Sequence, residues 1–563
     1  MTTSTDIAPQ KSANELAARI GWAALICATL YVCYFSHLGA IGFVGPDEPR
    51  YAWIARDMAE TGDWVTPRLY GKPWFEKPPL YYWSAAICFK LFGVSEAAAR
   101  LPSAISALLA TLAMAWLAWR IYDGETARWL LLLLPTTVGM IGFSHAAATD
   151  MPFSAMLTIA MVCAATTLGL VTDESSRDGA QHAALLQGRA NVARRQWLAL
   201  ILFGFFLGLA VLAKGPAAVI LCGGSVFFWA VFTKRWRDAL RVFHPAAVAA
   251  FCLTALPWYI LVARRNPDFI RVFIIEHNFK RYFTPEFQHI QPFWFYVPVL
   301  LAAFLPWTIG MLAALVDSRS RSPLNALFLS LGLFPVLFFT TSQSKLPGYI
   351  LPALPPLTWL VANKTSAVLA NRPEKRLLVS GYAITSIVLA IAIERFAAHH
   401  VLGTDILPAP WTTKVWLPLV VAGIIGGILS LKRHPIASLC VVQVGMLLAT
   451  WGFSSGLTWM DPQFSARGAI AASLTDSLAL TSRDVLVYDL RRGIHYGLNF
   501  YLGRELPEWS PGARGLVFSS WKGQSRLQAE GYVCQKHLVL PAAFLCKKAE
   551  PLAAHAPSSG KPQ

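Results

Sequence analysis

Residues 42–83, GFVGPDEPRYAWIARDMAETGDWVTPRLYGKPWFEKPPLYYW, gather six carboxylates and five cations between long apolar runs. Ionisable groups are costly to hold beside a membrane, so a dense cluster there reads as a functional site. In PDEPRYA, Asp47 can cap a helix beginning near Glu48, with Pro49 in its first turn. Arg50 and Tyr51 lie three and four residues on, along the same helical face as Asp47. That spacing serves either a capped turn with a salt bridge or a reactive carboxylate beside a cation and a phenol. In FEKPPLYYW, Glu76 and Lys77 stand at the start of a helix that Pro78-Pro79 opens. A helix N-terminus disfavours a cation and favours an anion, so a bound phosphate would reconcile Lys77 with its position. Glu76 can pair with Lys77 or bind a cation itself. Tyr81 and Tyr82 follow on the same segment and count as substrate contacts.

Further polar groups stand at turns between apolar runs. Asp150 in SHAAATDMP falls where one run ends and the next begins, with Pro152 suited to a helix start; a plain helix cap is the competing reading. AKGP and SQSKLPGYILP each place one lysine at such a turn, Lys214 and Lys345, the second followed by Tyr349. The loop 276–296, EHNFKRYFTPEFQHIQPFWFY, carries His277, Lys280 and Arg281. His277 and Glu76 are candidate ligands for a divalent metal, although two donors fall short of a usual site.

These residues need a scaffold, and the composition names it. The chain has 563 residues, 55% hydrophobic and 14% charged, where soluble proteins are nearer a quarter charged. Apolar runs long enough to cross a ~30 Å hydrocarbon core recur along it. About thirteen spans are expected, near 20–40, 100–119, 128–145, 152–171, 197–213, 216–232, 245–263, 293–315, 323–341, 346–362, 376–396, 414–431 and 436–454. With the N-terminus inside, every inside loop is rich in Lys and Arg, as membrane insertion favours. The net charge of +17 is therefore largely topological, and no nucleic-acid motif accompanies it.

The same topology leaves Arg50, Arg56, Arg68, Lys72, Lys77, Lys214, Arg264, Arg265, Arg271, Lys280, Arg281 and Lys345 outside. Cations on that side call for a reason. Snorkelling to lipid phosphates is one; an anionic ligand is the reading preferred for the set. Segment 77–93 is about as apolar as a short span, but counting it as one would invert every later loop and put the basic loops outside, so it reads as an interfacial or re-entrant helix on the outer side.

The fold class is thus mainly α, polytopic and transmembrane. Domain 1–455 holds the spans and the first outer loop, 41–99; residues 456–563 form a small α/β domain on the outer side with a disordered tail. DVLVYDL (484–490) and RGLVFSS (514–520) read as buried strands, 536–546 as a third, and 464–480 and 491–503 as helices. Residues 1–12 and 549–563 have the composition of disordered segments. Seven of nine cysteines lie in apolar stretches; Cys534 and Cys546 lie in the polar C-terminal region, where an oxidising compartment permits a disulfide or leaves two thiols.

Taken together, PDEPRYA (46–52), TGDWVTPRL (61–69), FEKPPLYYW (75–83), TDMP (149–152), KGP (214–216), EHNFKRYFTPE (276–286) and SKLPGYILP (344–352) resemble the GT-C glycosyltransferases that use polyprenyl-phosphate sugars. Within this protein O-mannosyltransferase-like group they are most similar to the bacterial lipid A 4-amino-4-deoxy-L-arabinose transferases. The resemblance covers most of 40–360 and is weakest in the C-terminal domain. It implies a periplasmic active site at the bacterial inner membrane, an undecaprenyl-phosphate donor of aminoarabinose, a lipid A phosphate acceptor, and polymyxin resistance as the outcome. It places the family's first-loop acidic residue on Asp47 and its second-loop acidic residue on Asp150. Lys77 then joins them as a catalytic cation, with Glu48, Arg50, Tyr51, Glu76, Tyr81, Tyr82, Lys214, Lys280, Arg281, Lys345 and Tyr349 as substrate contacts. In-line displacement of the carrier phosphate would invert the anomeric centre, and a monomer suffices for it.

Three rivals stand against this reading. The nearest keeps the fold but moves mannose or another sugar to a protein or glycan hydroxyl. A lipid-linked-sugar flippase predicts repeated halves and charges within spans, whereas here the charges gather in loops. A scaffold has no use for so many costly charges.

Overall fold

The computed structural model describes residues 7–171, 182–280, 282, 284, 290–317, 322–371, 375–397, 409–473, 485–536 and 544–548. The chain divides into two compact units. One comprises Met1–Gly39 with Ile54–Gly456, the other Ala40–Trp53 with Leu457–Gln563. The boundary near 456 lies where composition changes, but a piece of the first loop, including Asp47 and Arg50, groups with the C-terminal residues.

The first unit is helical, and helices stand at each of the thirteen expected spans. Nine are individually long and apolar enough to cross a membrane among the described residues. Two further helix pairs are each bent at a short break, the geometry of a broken span or a re-entrant loop. Gly124–Leu133 and Val138–Ser144 meet at 64°, and Tyr296–Ala303 and Thr308–Leu315 at 116°. The continuous spans expected at 128–145 and 293–315 are therefore corrected. Pro135 and Pro306 sit in the two breaks, where a residue lacking N–H cannot continue the helical ladder. Of the remaining two, 216–232 is the shorter helix Ala217–Thr233, and 346–362 is corrected: a 3-10 helix, Pro347–Ala353, leads into helix Leu354–Asn371, which is not among the helices long and apolar enough to cross alone. The protein is a multi-pass membrane protein.

Helix Asp150–Thr167 is the centre of this unit: 78% of its apolar window is buried, against 11% for Asn14–Tyr34 and 22% for Pro245–Arg265. Polar groups inside the bundle bond across helices. Gln443 donates to Thr29 Oγ1 at 3.1 Å and to the Leu132 carbonyl at 3.2 Å, while Trp307 donates to Thr136 Oγ1 at 3.0 Å. Such bonds hold helices together where hydrocarbon offers no partner. The expected interfacial segment forms helix Leu80–Phe92. Its thirteen residues reach about 20 Å, short of a ~30 Å core. Tyr81, Tyr82, Ala85, Ala86 and Phe89 are buried on one side, and Ile87 and Leu91 are exposed. The helix starts at Leu80, so Glu76 and Lys77 precede it rather than sitting in its first turn.

The second unit contains a four-stranded sheet. Val485–Tyr488 runs parallel to Leu516–Ser519, joined through helix Arg492–Leu502; Phe544–Lys548 pairs antiparallel with Leu516–Ser519, and Tyr532–Lys536 closes the edge. Two expected strands are present. The third lies at the end of its expected range, and strand Tyr532–Lys536 and helix Trp521–Ala529 were not anticipated. Helix Ala466–Ser473 covers the start of 464–480, whose remainder is outside the described residues. Val485, Val487, Leu498 and Phe518 form the sheet's core. Cys534 and Cys546 face each other across the edge pair and are disulfide-bonded. The first helix begins at Ile7, which corrects the expectation of disorder through residue 12; tail 549–563 lies outside the described residues.

Candidate functional site

Helix Asp150–Thr167 begins with a carboxylate, and helix His182–Lys214 ends with an ammonium. Each charge has the sign its helix end favours, since the macrodipole is positive at the N-terminus and negative at the C-terminus. The two helices pack together so that Lys214 Nζ donates to Asp150 Oδ1. Their side chains are 10% and 22% exposed. Thr149 holds the cap position without a side-chain bond, so the carboxylate is engaged by a distant lysine rather than by its own helix end. Gly215, with φ of 82°, turns the chain directly after Lys214; glycine alone takes that conformation without strain.

SKLPGYILP completes the pair's surroundings. A Cβ on Gly348 would lie 2.7 Å from Asp150 Oδ1 and 2.9 Å from the Phe143 ring. Only glycine lets this segment approach the carboxylate. The next residue, Tyr349, places its ring 4.9 Å from Lys214 Nζ, and Phe153 lies 5.4 Å away on another side. Aromatic faces attract a cation at such distances. TDMP, AKGP and SKLPGYILP, separated by up to 200 residues of sequence, thus meet at one point.

A cavity of about 240 Å³ opens beside this point. Lys77, Lys214, His277, Tyr282, Ser344 and Tyr349 supply its polar wall. Ile220, Phe279, Phe338 and Phe339 make the rest apolar. Ser344 Oγ is buried in this wall without a hydrogen-bond partner. Lys77 Nζ lies 3.6 Å from Glu76 Oε1, with side chains 15% and 9% exposed. Two ammonium groups beside greasy walls suit a ligand with an anionic head and a hydrocarbon tail.

A family model described as dolichyl-phosphate-mannose-protein mannosyltransferase matches residues 19–273. The undecaprenyl phosphate-alpha-4-amino-4-deoxy-L-arabinose arabinosyl transferase of Edwardsiella ictaluri is 29% identical over 513 residues, 85% of this chain and 88% of that protein. Its namesake from Yersinia enterocolitica is 32% identical over 379 residues, 66% of this chain and 64% of its own. The crystal structure of ArnT from Cupriavidus metallidurans bound to undecaprenyl phosphate shares the fold, with a TM-score of 0.71 at 22% identity, covering 93% of this chain and 98% of that one. The chain is a membrane glycosyltransferase, similar in sequence to these transferases and in fold to that structure. The cavity of this glycosyltransferase is accordingly the candidate active site of the first unit.

The second unit carries the first-loop motif. Helix Asp47–Thr61 starts at Asp47, one residue earlier than expected. Asp47 accepts from Arg50 rather than capping the helix; Glu48, 9% exposed, instead accepts the Val44 N–H at 2.8 Å and ties down the loop. Arg50 lies over two rings, 5.4 Å from Tyr51 and 5.7 Å from Tyr496 of helix Arg492–Leu502. The loop is fastened to the C-terminal residues by Gly42 N–H to Asp461 at 2.6 Å and Phe43 N–H to the Tyr501 hydroxyl at 2.9 Å. Tyr496, Tyr501 and Asp461 were missed because nothing local in their sequence connects them to a loop more than 400 residues away.

Several expected substrate contacts are buried or bonded within the protein. Tyr81 is fully buried and donates to the Ala99 carbonyl at 2.8 Å; Tyr82 is fully buried too, and Tyr51 is 2% exposed. Lys345 is 8% exposed, does not line the cavity, and donates to the carbonyls of Ser342 at 2.7 Å and Gln291 at 3.2 Å. Lys280 is exposed at the end of helical stretch Arg271–Lys280 and is not in the cavity wall; Arg281 lies outside the described residues. Other wrong-side cations hold ion pairs: Arg56 with Glu60, Arg68 and Arg265 with Asp63, and Arg271 with Asp268 and Glu276. Of the described members of the set, Lys77 and Lys214 line the cavity.

The metal reading gains little. Glu76 and His277 line a second cavity together. No group of three His, Cys, Asp or Glu that could hold a metal exists among the described residues. Two donors do not complete a site, and the chemistry below uses no metal.

Proposed function

We propose that this glycosyltransferase moves 4-amino-4-deoxy-L-arabinose from undecaprenyl phosphate to a phosphate of lipid A, at the periplasmic face of the bacterial inner membrane, as a monomer. The observation that carries the reading is the cavity in which Lys77 and Lys214 stand against Ile220, Phe279, Phe338 and Phe339. The relatives' names supply the sugar and the carrier; basic loops at the opposite ends of the spans support the sidedness.

The chemistry follows from charge. An oxygen of the acceptor phosphate attacks the anomeric carbon. The bond from that carbon to the carrier phosphate breaks, and its electron pair leaves with undecaprenyl phosphate. The leaving group gains negative charge as the bond breaks, and cations fixed in a site that excludes water stabilise that charge. Lys77 and Lys214 take this role. Asp150 holds Lys214 in place, with Gly348 and Tyr349 packed around the pair. The acceptor phosphate has a second pKa of about 6, so it is already a nucleophile at neutral pH and needs no general base. Asp47 is then left to position groups or offset positive charge on the sugar. Displacement in line inverts the anomeric centre.

The mannosyltransferase model that matches residues 19–273 favours a second reading, transfer of a sugar to a protein hydroxyl. A hydroxyl acceptor needs a base, and Asp47 would have to supply it. Purified protein incubated with undecaprenyl-phosphate aminoarabinose and lipid A decides between them by product mass. A lipid A product carrying aminoarabinose, lost in Lys77→Ala and reduced in Asp47→Asn, supports the first reading. Turnover only with a hydroxyl acceptor sinks it.

A further inference from the structure

We infer that the protein binds an anionic glycerophospholipid in a second cavity, at the membrane face opposite the Lys214 site. A cavity of about 420 Å³ lies between three helices, Glu96–Ile121, Asp150–Thr167 and His182–Lys214. Two of these are the helices that bring Asp150 and Lys214 together. Its wall includes Thr166, sixteen positions from Asp150, and Arg195, nineteen from Lys214. At 1.5 Å per residue those separations are about 24 and 28 Å, close to the ~30 Å hydrocarbon thickness. The cavity therefore lies at the other interface.

Its chemistry is graded. Arg120 and Arg195 contribute two cationic side chains to its lining. Trp116 and Trp119, one helical turn apart, are 53% and 61% exposed beside Arg120. Tryptophan collects at headgroup depth because its ring is apolar and its N–H polar. Further in, Val162, Leu198 and Leu202 make the wall apolar and continue toward the bilayer core. The arrangement matches a lipid in one orientation: phosphate at the arginines, glycerol by the tryptophans, an acyl chain along Leu198 and Leu202. Arginine grips phosphate through paired N–H donors. A zwitterionic headgroup presents a cation of its own to the same two arginines, so an anionic lipid is preferred. A lipid seated there ties together the far ends of the helices that hold the Asp150–Lys214 pair, and its binding raises stability by mass action.

The test uses the full-length protein in detergent, stripped of native lipid. Phosphatidylglycerol, phosphatidylcholine and inorganic phosphate are added separately, and bound lipid is counted by native mass spectrometry alongside thermal unfolding. Phosphatidylglycerol is expected to bind at one site and raise Tm, phosphatidylcholine at least tenfold more weakly, and inorganic phosphate without effect. Arg120→Gln with Arg195→Gln should abolish both responses. Leu202→Trp, which fills the apolar wall and leaves both arginines, should do so too. Equal responses to the two lipids, a full response to phosphate alone, or retained binding in both variants overturns the proposal. Undiminished transferase turnover in the variants verifies that they are folded and separates this site from the catalytic one.

Discussion

Substituting either member of the Asp150–Lys214 pair should move affinity for the carrier lipid in opposite directions. The two side chains are 10% and 22% exposed, between an exposed pair worth about 0–1 kcal/mol and a buried pair whose breaking costs about 3–5 kcal/mol. Asp150→Asn, which keeps the shape and removes the charge, should therefore destabilise by about 2–3 kcal/mol, because Lys214 keeps its charge between Tyr349 and Phe153. Lys214→Met should cost a similar amount by leaving Asp150 charged against Gly348. In the double variant neither charge remains, and the coupling should be about 1–2 kcal/mol. Carrier binding separates the pair further. A phosphate beside Lys214 replaces the anion that Asp150→Asn removes, so undecaprenyl phosphate should bind up to about tenfold more tightly, a gain of ~1.4 kcal/mol. Lys214→Met should weaken binding at least as much. The assay is thermal unfolding in detergent across a titration of undecaprenyl phosphate, fitted by mass action. Affinities that shift in the same direction, or that stay within twofold of the wild type in both variants, refute the placement of the phosphate at Lys214.

Other substitutions probe the surroundings. Gly348→Ala puts a methyl group against Asp150 Oδ1; turnover should fall at least tenfold while the protein stays folded, read from kcat and circular dichroism. Asp57 is a carboxyl whose pKa burial raises above its ordinary value of 3.8, with Glu60 and Asp63 adding to the rise and Arg68 opposing it; its Oδ2 has no hydrogen-bond partner. A raised carboxyl favours folding below its unfolded pKa, and that contribution is lost as pH rises through the folded value. Asp57→Asn should thus raise Tm at pH 7 and change it little below pH 3.8, measured by unfolding at both. Burial lowers the pKa of His495 from 6.5, against the raising influence of Glu508 and Glu505. The second unit should lose stability as pH falls below 6.5 toward the lowered value, and His495→Gln should flatten that slope in hydrogen-exchange profiles of Val485–Tyr488. Reducing Cys534–Cys546 opens a loop with a sequence separation of 12 and should destabilise the second unit by about 3 kcal/mol, visible as faster exchange in strand Tyr532–Lys536.

Membrane crossing was legible because it depends on local composition: an apolar run of sufficient length has one low-energy place to go. Helices accordingly overlap all thirteen expected spans, and among the described residues nine of them are individually long and apolar enough to cross. The breaks at Pro135 and Pro306 were harder to foresee, since proline inside a membrane helix is tolerated or disruptive according to what its neighbours can bond. The two buried strands and helix Arg492–Leu502 were read from runs of apolar residues, while the edge strand Tyr532–Lys536, with its mixed pattern, was not.

Within the site, the sequence alone determined which loops carry charge and that TDMP, AKGP and SKLPGYILP matter, because each interrupts apolar chain at a cost. Which of those charges face a ligand was decided by tertiary structure. Lys214 and Lys345 look alike in sequence, each a lone lysine before a glycine-containing turn. One meets Asp150 in a cavity wall, and the other is bonded to backbone carbonyls. Arg68 and Arg265 are both neutralised by Asp63, which lies five residues from the first but 202 from the second. Likewise Asp461 and Tyr501 fix the loop that leads to Asp47. A charge's cost is set by its own residue type and neighbours along the chain; its partner is set by which segments folding brings within a few ångströms.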